Sequence, residues 1–194
     1  MRKSASVWCA AAVAVMMVLT CGGAVRAQGG MAMERKAPTG LAADLLSQWN
    51  YTEKQLVDMA ADFPVDKLDY KATPAQRTFA EQLLHAAGAN YLFIDAAMGT
   101  KPPKDVENPS RKIYKTRAQI VEYIKKSYGD GAATIRRLGD KGLLEETKAP
   151  FGNGMVTKAA LFAEAMEHAN DHYGQCVVYY RLNGLVPPAS RPQK

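Results

Sequence analysis

The 194-residue chain is poor in histidine and cysteine, with three of each, and has two tryptophans. Each scarcity excludes something. Cys9 and Cys21 fall within the first 27 residues, which are read below as a removed leader, so the mature chain keeps Cys176 alone. An internal disulfide is then impossible in any compartment, and a disulfide-stapled scaffold is excluded. A lone cysteine on a helix with apolar neighbours behaves as a small buried hydrophobe. Sustained strand alternation is missing as well, which removes the main argument for a sheet protein.

Charge of one sign is less abundant than the formal +6 implies. Arg2, Lys3 and Arg26 leave with the leader, which carries no acidic residue, and the mature chain stands at +3. Lys125-Lys126 and Arg136-Arg137 sit at helical spacing opposite an apolar face, so they read as a solvated surface. Nucleic acid is not an expected partner.

The leader itself is short. Met1-Arg2-Lys3 is a basic start, and the apolar run Val7 to Leu19 is too short to span a membrane comfortably. Val25-Arg26-Ala27 places small or apolar residues at the two positions a signal peptidase reads. Residues 1–27 are therefore expected to be a secretory signal, cleaved after Ala27, which leaves an exported chain with no transmembrane segment. A lipoprotein reading through Val18-Leu19-Thr20-Cys21 ranks second, because Thr20 is a poor residue before the modified cysteine. Residues 28–40 are small, polar and glycine-containing, a flexible lead-in.

What remains is helical, and its length suits one domain with a sizeable core. A first helix is expected from about Leu41 to Asp62, where Leu45, Trp49, Thr52, Leu56, Met59 and Phe63 alternate steps of four and three until Pro64. A second opens at Thr78 with Glu81 as a capping box. From Leu83 to Ile94 its clearly polar residues are His85 and Asn90, the mark of a buried helix. The proline- and lysine-rich stretch Gly99 to Lys115 reads as a surface crossover. Thr116 caps a third helix to about Leu138, with Ile120, Ile124, Ile135 and Leu138 inward. Gly129 and Gly131 weaken its middle and invite a kink or break there. Gly139 to Met155 reads as irregular. A fourth helix runs from near Thr157 to the stop at Asn183-Gly184. The expected fold is all-α, a four-helix bundle over residues 41–191.

The three histidines concentrate the chemistry. His168 and His172 stand four apart and share one face of the fourth helix. Its inward seam reads Leu161, Ala165, His168, His172, Gln175, Tyr179, Leu182, so polar groups occupy core positions. A buried unpaired imidazole costs on the order of 1–3 kcal/mol, and a metal ion satisfies neutral histidines. His85 lies inside the buried second helix. Together they form a candidate three-imidazole site with an open coordination position, the pattern of catalytic rather than structural sites. A histidine on an apolar face is more often a hydrogen-bonded core residue, and spacing alone leaves that reading open. Register is also open: His85 lies nearer its N-cap than His168 does to its own, so the heights match only if the fourth helix begins below the second.

The run Phe63-Pro64-Val65-Asp66-Lys67-Leu68-Asp69-Tyr70-Lys71-Ala72-Thr73-Pro74, continued by Arg77 to Tyr91, closely resembles the DinB/YfiT-like superfamily. His168-Ala169-Asn170-Asp171-His172-Tyr173-Gly174-Gln175 resembles that family's second motif, and Arg181 to Ser190 resembles the ending of its exported members. The likeness covers about residues 41–191. It implies a four-helix bundle with an unusual order of neighbours that brings the second and fourth helices together. It also implies one divalent ion, commonly zinc or nickel with iron or manganese as further candidates, held by His85, His168 and His172. Characterised members include transferases and an isomerase that use low-molecular-weight thiols.

Two functions follow as expectations. One is a metal-dependent enzyme acting on a small molecule the sequence does not name, by thiol-dependent transfer or isomerisation, or by metal-bound hydroxide. The signal peptide weighs against the thiol route, because such thiols are mainly cytosolic. Glu164, one turn before His168, and Gln175, after His172, are candidates to hydrogen-bond and orient the ligating histidines. Asp171 lies about 100° around the helix from His172 and is expected to point elsewhere. No general base stands out. The alternative is a non-catalytic binding module stapled by the ion, with Trp49, Tyr91 and Tyr173 as pocket-lining candidates. A homodimer is left open.

Overall fold

The first helix, α1 (Leu41–Asp62), buries the whole seam read from its spacing, from Leu45 and Trp49 through Met59 to Phe63. Phe63 turns to extended backbone with φ −60° and ψ 141°, as the residue before a proline must when the ring excludes the helical conformation. These features come from a computed structural model that describes residues 40–192. The expected signal, the lipidation candidate Cys21 and nearly all of the lead-in lie outside the described residues.

The second helix, α2 (Phe79–Met98), opens with the expected capping box: Thr78 Oγ1 accepts from Glu81 N, and Glu81 accepts from Thr78 N. Every residue from Gln82 to Asn90 is buried. α3 (Arg117–Leu143) is capped by Thr116 with Gln119, and α4 (Lys158–Leu182) by Thr157, whose hydroxyl accepts from Ala160 N. No helix among the described residues is long and apolar enough to cross a membrane.

α1 packs against α3 and α4, and α2 packs against the same two, so α1 faces α2 and α3 faces α4 across the diagonals. Contacts set the directions. Trp49 meets Phe162 and Tyr180 meets Met59, so α1 and α4 run parallel. Gln82 meets Gln175 and Phe93 meets His168, so α2 and α4 are antiparallel. Phe63 O accepts from Arg117 while Ala42 N donates to Asp140, so α3 opposes α1. α2 and α3 therefore share a direction, and the chain between them must return the length of the bundle. That is why the stretch from Gly99 to Lys115 is a crossover.

The antiparallel α2–α4 pair corrects the height argument. His85 and His168 are counted from opposite ends of the bundle, so their distances from the two N-caps need not match for them to meet. Other expectations also change. The stretch Gly139 to Met155, expected to be irregular, holds the end of α3 as far as Leu143 and then most of a hairpin, β1 (Glu146–Lys148) with β2 (Met155–Thr157), antiparallel with Glu146 opposite Thr157 and Lys148 opposite Met155. Strands of three residues are too short for alternation to be read. α3 is not broken at Gly129 or Gly131; the non-helical residue is Gly139, at φ 58° and ψ −177°. Gly131 is held in the helix by packing: a Cβ there would stand 2.2 Å from the Trp49 ring, whose Nε1 donates to Tyr128 O at 2.7 Å. Tertiary contact overrides the weak local propensity. Leu182, at the end of the α4 seam, is 58% exposed, because the core closes earlier on Tyr179 and Tyr180, and Leu138 is only half-buried.

Candidate metal centre

α2 and α4 bring the three histidines together. His168 Nε2 lies 3.2 Å from His85 Nε2 and 3.2 Å from His172 Nε2. Their candidate ligand atoms all fall within 4.8 Å of one another, and no Asp, Glu or Cys of the described residues joins the cluster. His85 is 9% exposed and His172 7%.

The outer nitrogens fix the tautomers. His85 Nδ1 faces the backbone carbonyl of Glu107 at 2.5 Å, and a carbonyl only accepts, so Nδ1 carries the proton. His172 Nδ1 faces Gln82 Oε1 at 2.6 Å. Gln82 is oriented in turn, because its Nε2 donates to Gln175 Oε1 at 2.5 Å. Both rings therefore turn an Nε2 lone pair inward, toward His168 Nε2. A single proton on His168 can serve one of them and leaves the other facing a like dipole. A cation between the three satisfies all of them. Three nitrogens about 2.05 Å from a tetrahedral zinc lie about 3.3 Å apart, close to the two 3.2 Å separations observed here. The residues fit a divalent ion.

Electrostatics keeps the imidazoles in their ligating form. Burial pushes His172 down to about 3 and His168 down to about 4, with the neighbouring imidazoles adding to the effect; His85 is lowered mainly by burial. The Arg77 guanidinium lowers all three further. Neutral rings are what a metal needs.

Residues beyond the histidines are placed as follows. Gln175 does not touch a histidine; it holds the amide of Gln82, which holds His172. Glu164 is exposed and lines a cavity beside His168 without a recorded hydrogen bond to it. Asp171 is exposed and lines the same cavity, where its charge acts on His168. His168 Nδ1 is buried without a hydrogen-bond partner among the described residues. Trp49 is fully buried between α1 and α3, Tyr91 donates to Asp130 at 2.9 Å, and neither they nor Tyr173 line the cavity. Cys176 is buried and its thiol pushed up, as expected of an inert packing residue.

Sequence reasoning missed Gln82 and Glu107. Gln82 stands three residues before His85 on α2, a polar residue in a buried stretch, and that signal was available. Glu107 acts through its backbone, which no side-chain pattern reveals. Gly88 is what lets the crossover reach the site: a Cβ there would stand 2.2 Å from Val106 O. Only glycine admits that approach of backbone to helix.

An all-α bundle with this diagonal order and a three-imidazole cluster between α2 and α4 defines the class. The DinB superfamily model matches residues 48–176, and the chain belongs to that superfamily. Two solved structures share the fold. A DinB-like protein from Bacillus cereus ATCC 10987 is 20% identical, with a TM-score of 0.62 over 74% of this chain and 93% of that one. A DinB-like protein from Bacillus subtilis, YjoA, is 21% identical, with a TM-score of 0.55 over 77% of this chain and 99% of that one. No protein of curated function matches the chain.

Proposed function

We propose that this protein is an exported metalloenzyme in which His85, His168 and His172 hold one divalent ion, zinc or nickel first, with a coordination position open to a small-molecule substrate. One observation carries the reading: three Nε2 atoms converge while their cluster contains no carboxylate or thiolate among the described residues. A structural site would complete its shell with a fourth protein ligand, and three imidazoles leave room for an exogenous one. Bound there, a divalent ion supplies Lewis acidity, lowering the pKa of a coordinated water or thiol and polarising a substrate oxygen.

The chain's own residues prepare that centre. Glu107 O and Gln82 Oε1 fix two rings in the Nδ1–H tautomer and point their lone pairs inward. Burial keeps the imidazoles neutral. His168 borders a cavity of about 220 Å³, the route by which a ligand reaches the cluster. Thiol-dependent transfer and hydrolytic chemistry both suit a centre of this kind, and the leader favours the second.

Cobalt substitution tests the open position, because its visible spectrum responds to ligand exchange. Azide, thiols or small carboxylates added to the cobalt-loaded protein are expected to change that spectrum. A spectrum indifferent to all of them overturns the enzyme reading in favour of a binding module stapled by the ion. Export has its own test. Mass spectrometry of the chain from its native envelope is expected to find Gln28 at the N-terminus; a chain starting at lipidated Cys21 gives the lipoprotein form instead, and one retaining Met1 removes export.

A further inference from the structure

The cavity beside His168 has a charge pattern that selects its ligand. On α4, Glu164, Glu167 and Asp171 follow one another in steps of three and four, so they form one stripe, and it borders the same cavity as His168. All three are exposed and line the cavity, and the half-buried Glu107 of the crossover lines it as well. No Lys or Arg lines it, and no recorded salt bridge among the described residues involves these four carboxylates. Its apolar wall is made by Ala89, Leu92, the edge of the buried Phe93 and Phe151. Phe93 of α2 and Phe151 of the β1–β2 loop stand edge to face with ring centroids 6.3 Å apart, and Phe93 lies 6.4 Å from the His168 ring. Phe151 is 57% exposed, so its ring is presented to the opening rather than consumed by the core.

We propose that this cavity binds an organic cation, an ammonium-bearing molecule with a compact apolar body, as the substrate class of the histidine centre. The body packs on Phe93 and Phe151, and the ammonium lies among the carboxylates of Glu164, Glu167 and Asp171. Aromatic faces and carboxylates both attract a cation and neither attracts an anion. With the ammonium at the rim, the uncharged end of the molecule faces His168, and the positive charge stays away from a divalent ion. A separate cleft lined by Lys71, Arg77, Arg111 and Lys112, with Glu81, does not include His168.

This assignment of the ligand rests on reading the three histidines as the reactive centre; the cavity's preference for cations is measured without that reading. Benzylammonium, benzyl alcohol and benzoate share a ring and differ in charge. Because the chain contains three histidines in all, imidazole NMR resonances assigned with single variants report on the cavity directly. The His168 resonances are followed during titration of the full metal-free chain, and zinc binding is measured separately.

Benzylammonium is expected to shift the His168 signals and to bind about tenfold or more tightly than benzoate, with benzyl alcohol between them. The triple variant Glu164→Gln, Glu167→Gln, Asp171→Asn is expected to erase the difference while circular dichroism shows an unchanged helical fold. Benzoate binding as tightly as benzylammonium, a preference that survives in the triple variant, or no shift with any probe overturns the proposal. Failure of zinc to bind, with the cation preference intact, removes the metalloenzyme reading and leaves the cavity assignment standing.

Discussion

The three imidazoles make unequal demands on their surroundings. His85 and His172 each have an oriented Nδ1 partner, whereas His168 Nδ1 has none among the described residues. All three supply a converging nitrogen, and two histidines hold an ion far less firmly than three. Each of His85→Ala, His168→Ala and His172→Ala is expected to abolish tight binding of the single divalent ion, measured as metal content after desalting. Undiminished content in all three variants rules out the site. Gln82→Leu makes a finer test. It keeps the volume roughly constant but leaves the buried His172 Nδ1–H without its acceptor. Metal affinity is expected to fall about 10–100-fold, the usual effect of losing such an orienting partner. An unchanged dissociation constant in a chelator competition shows instead that Gln82 serves the core alone.

Helices and connections divide the work differently. The seams of α1 and the cap of α2 were legible because they depend on local spacing and local hydrogen bonds. The diagonal order of helices was available only through family resemblance, and the three-residue strands and the Glu107 carbonyl were not legible at all. They depend on where the crossover and the hairpin lie in space. Glycine shows the same division. Gly129, Gly131 and Gly88 all sit in helices and look alike in sequence, yet their surroundings differ. Nothing lies within 4 Å of a Cβ built at Gly129, whereas one at Gly131 meets Trp49 at 2.2 Å and one at Gly88 meets Val106 O at 2.2 Å. Gly129→Ala is therefore expected to stabilise the protein by about 0.5–1 kcal/mol through helix propensity. Gly131→Ala is expected to destabilise it by about 1–3 kcal/mol through overpacking. Gly88→Ala is expected to destabilise and also to weaken metal binding, because it lifts the crossover and with it Glu107 O from His85. Denaturant midpoints read the first effect in each variant. Chelator competition reads the second, and equal metal affinity in Gly88→Ala and wild type separates the crossover from the site.

For the folded chain as a unit, the buried imidazoles tie stability to pH. In the metal-free protein His168 and His172 titrate near 4 and 3, below the ordinary value of 6.5, and His85 is also lowered. Between those values and 6.5 the unfolded chain binds protons that the folded chain refuses, so acidification favours unfolding. Stability is fully present above about pH 6.5 and declines as pH falls from there toward 4. Asp62 works in a different window. Its carboxyl is held below the ordinary 3.8, chiefly by a hydrogen bond from Arg191, so its contribution is lost only as pH falls below about 3.8. Glu53, raised above its ordinary 4.5 by burial, acts in the opposite sense, so a loss of stability between pH 6.5 and 4.5 belongs to the histidines. Urea unfolding of the chelator-treated protein across that range is expected to show a falling midpoint. In the double variant His168→Gln, His172→Gln the fall should flatten, since the remaining lowered imidazole is His85. A wild-type midpoint that stays level from pH 6.5 to 4.5, or a slope unchanged in the double variant, shows that the rings charge freely in the folded state. The cluster would then be open to water, and burial would not be what keeps it ready for a metal.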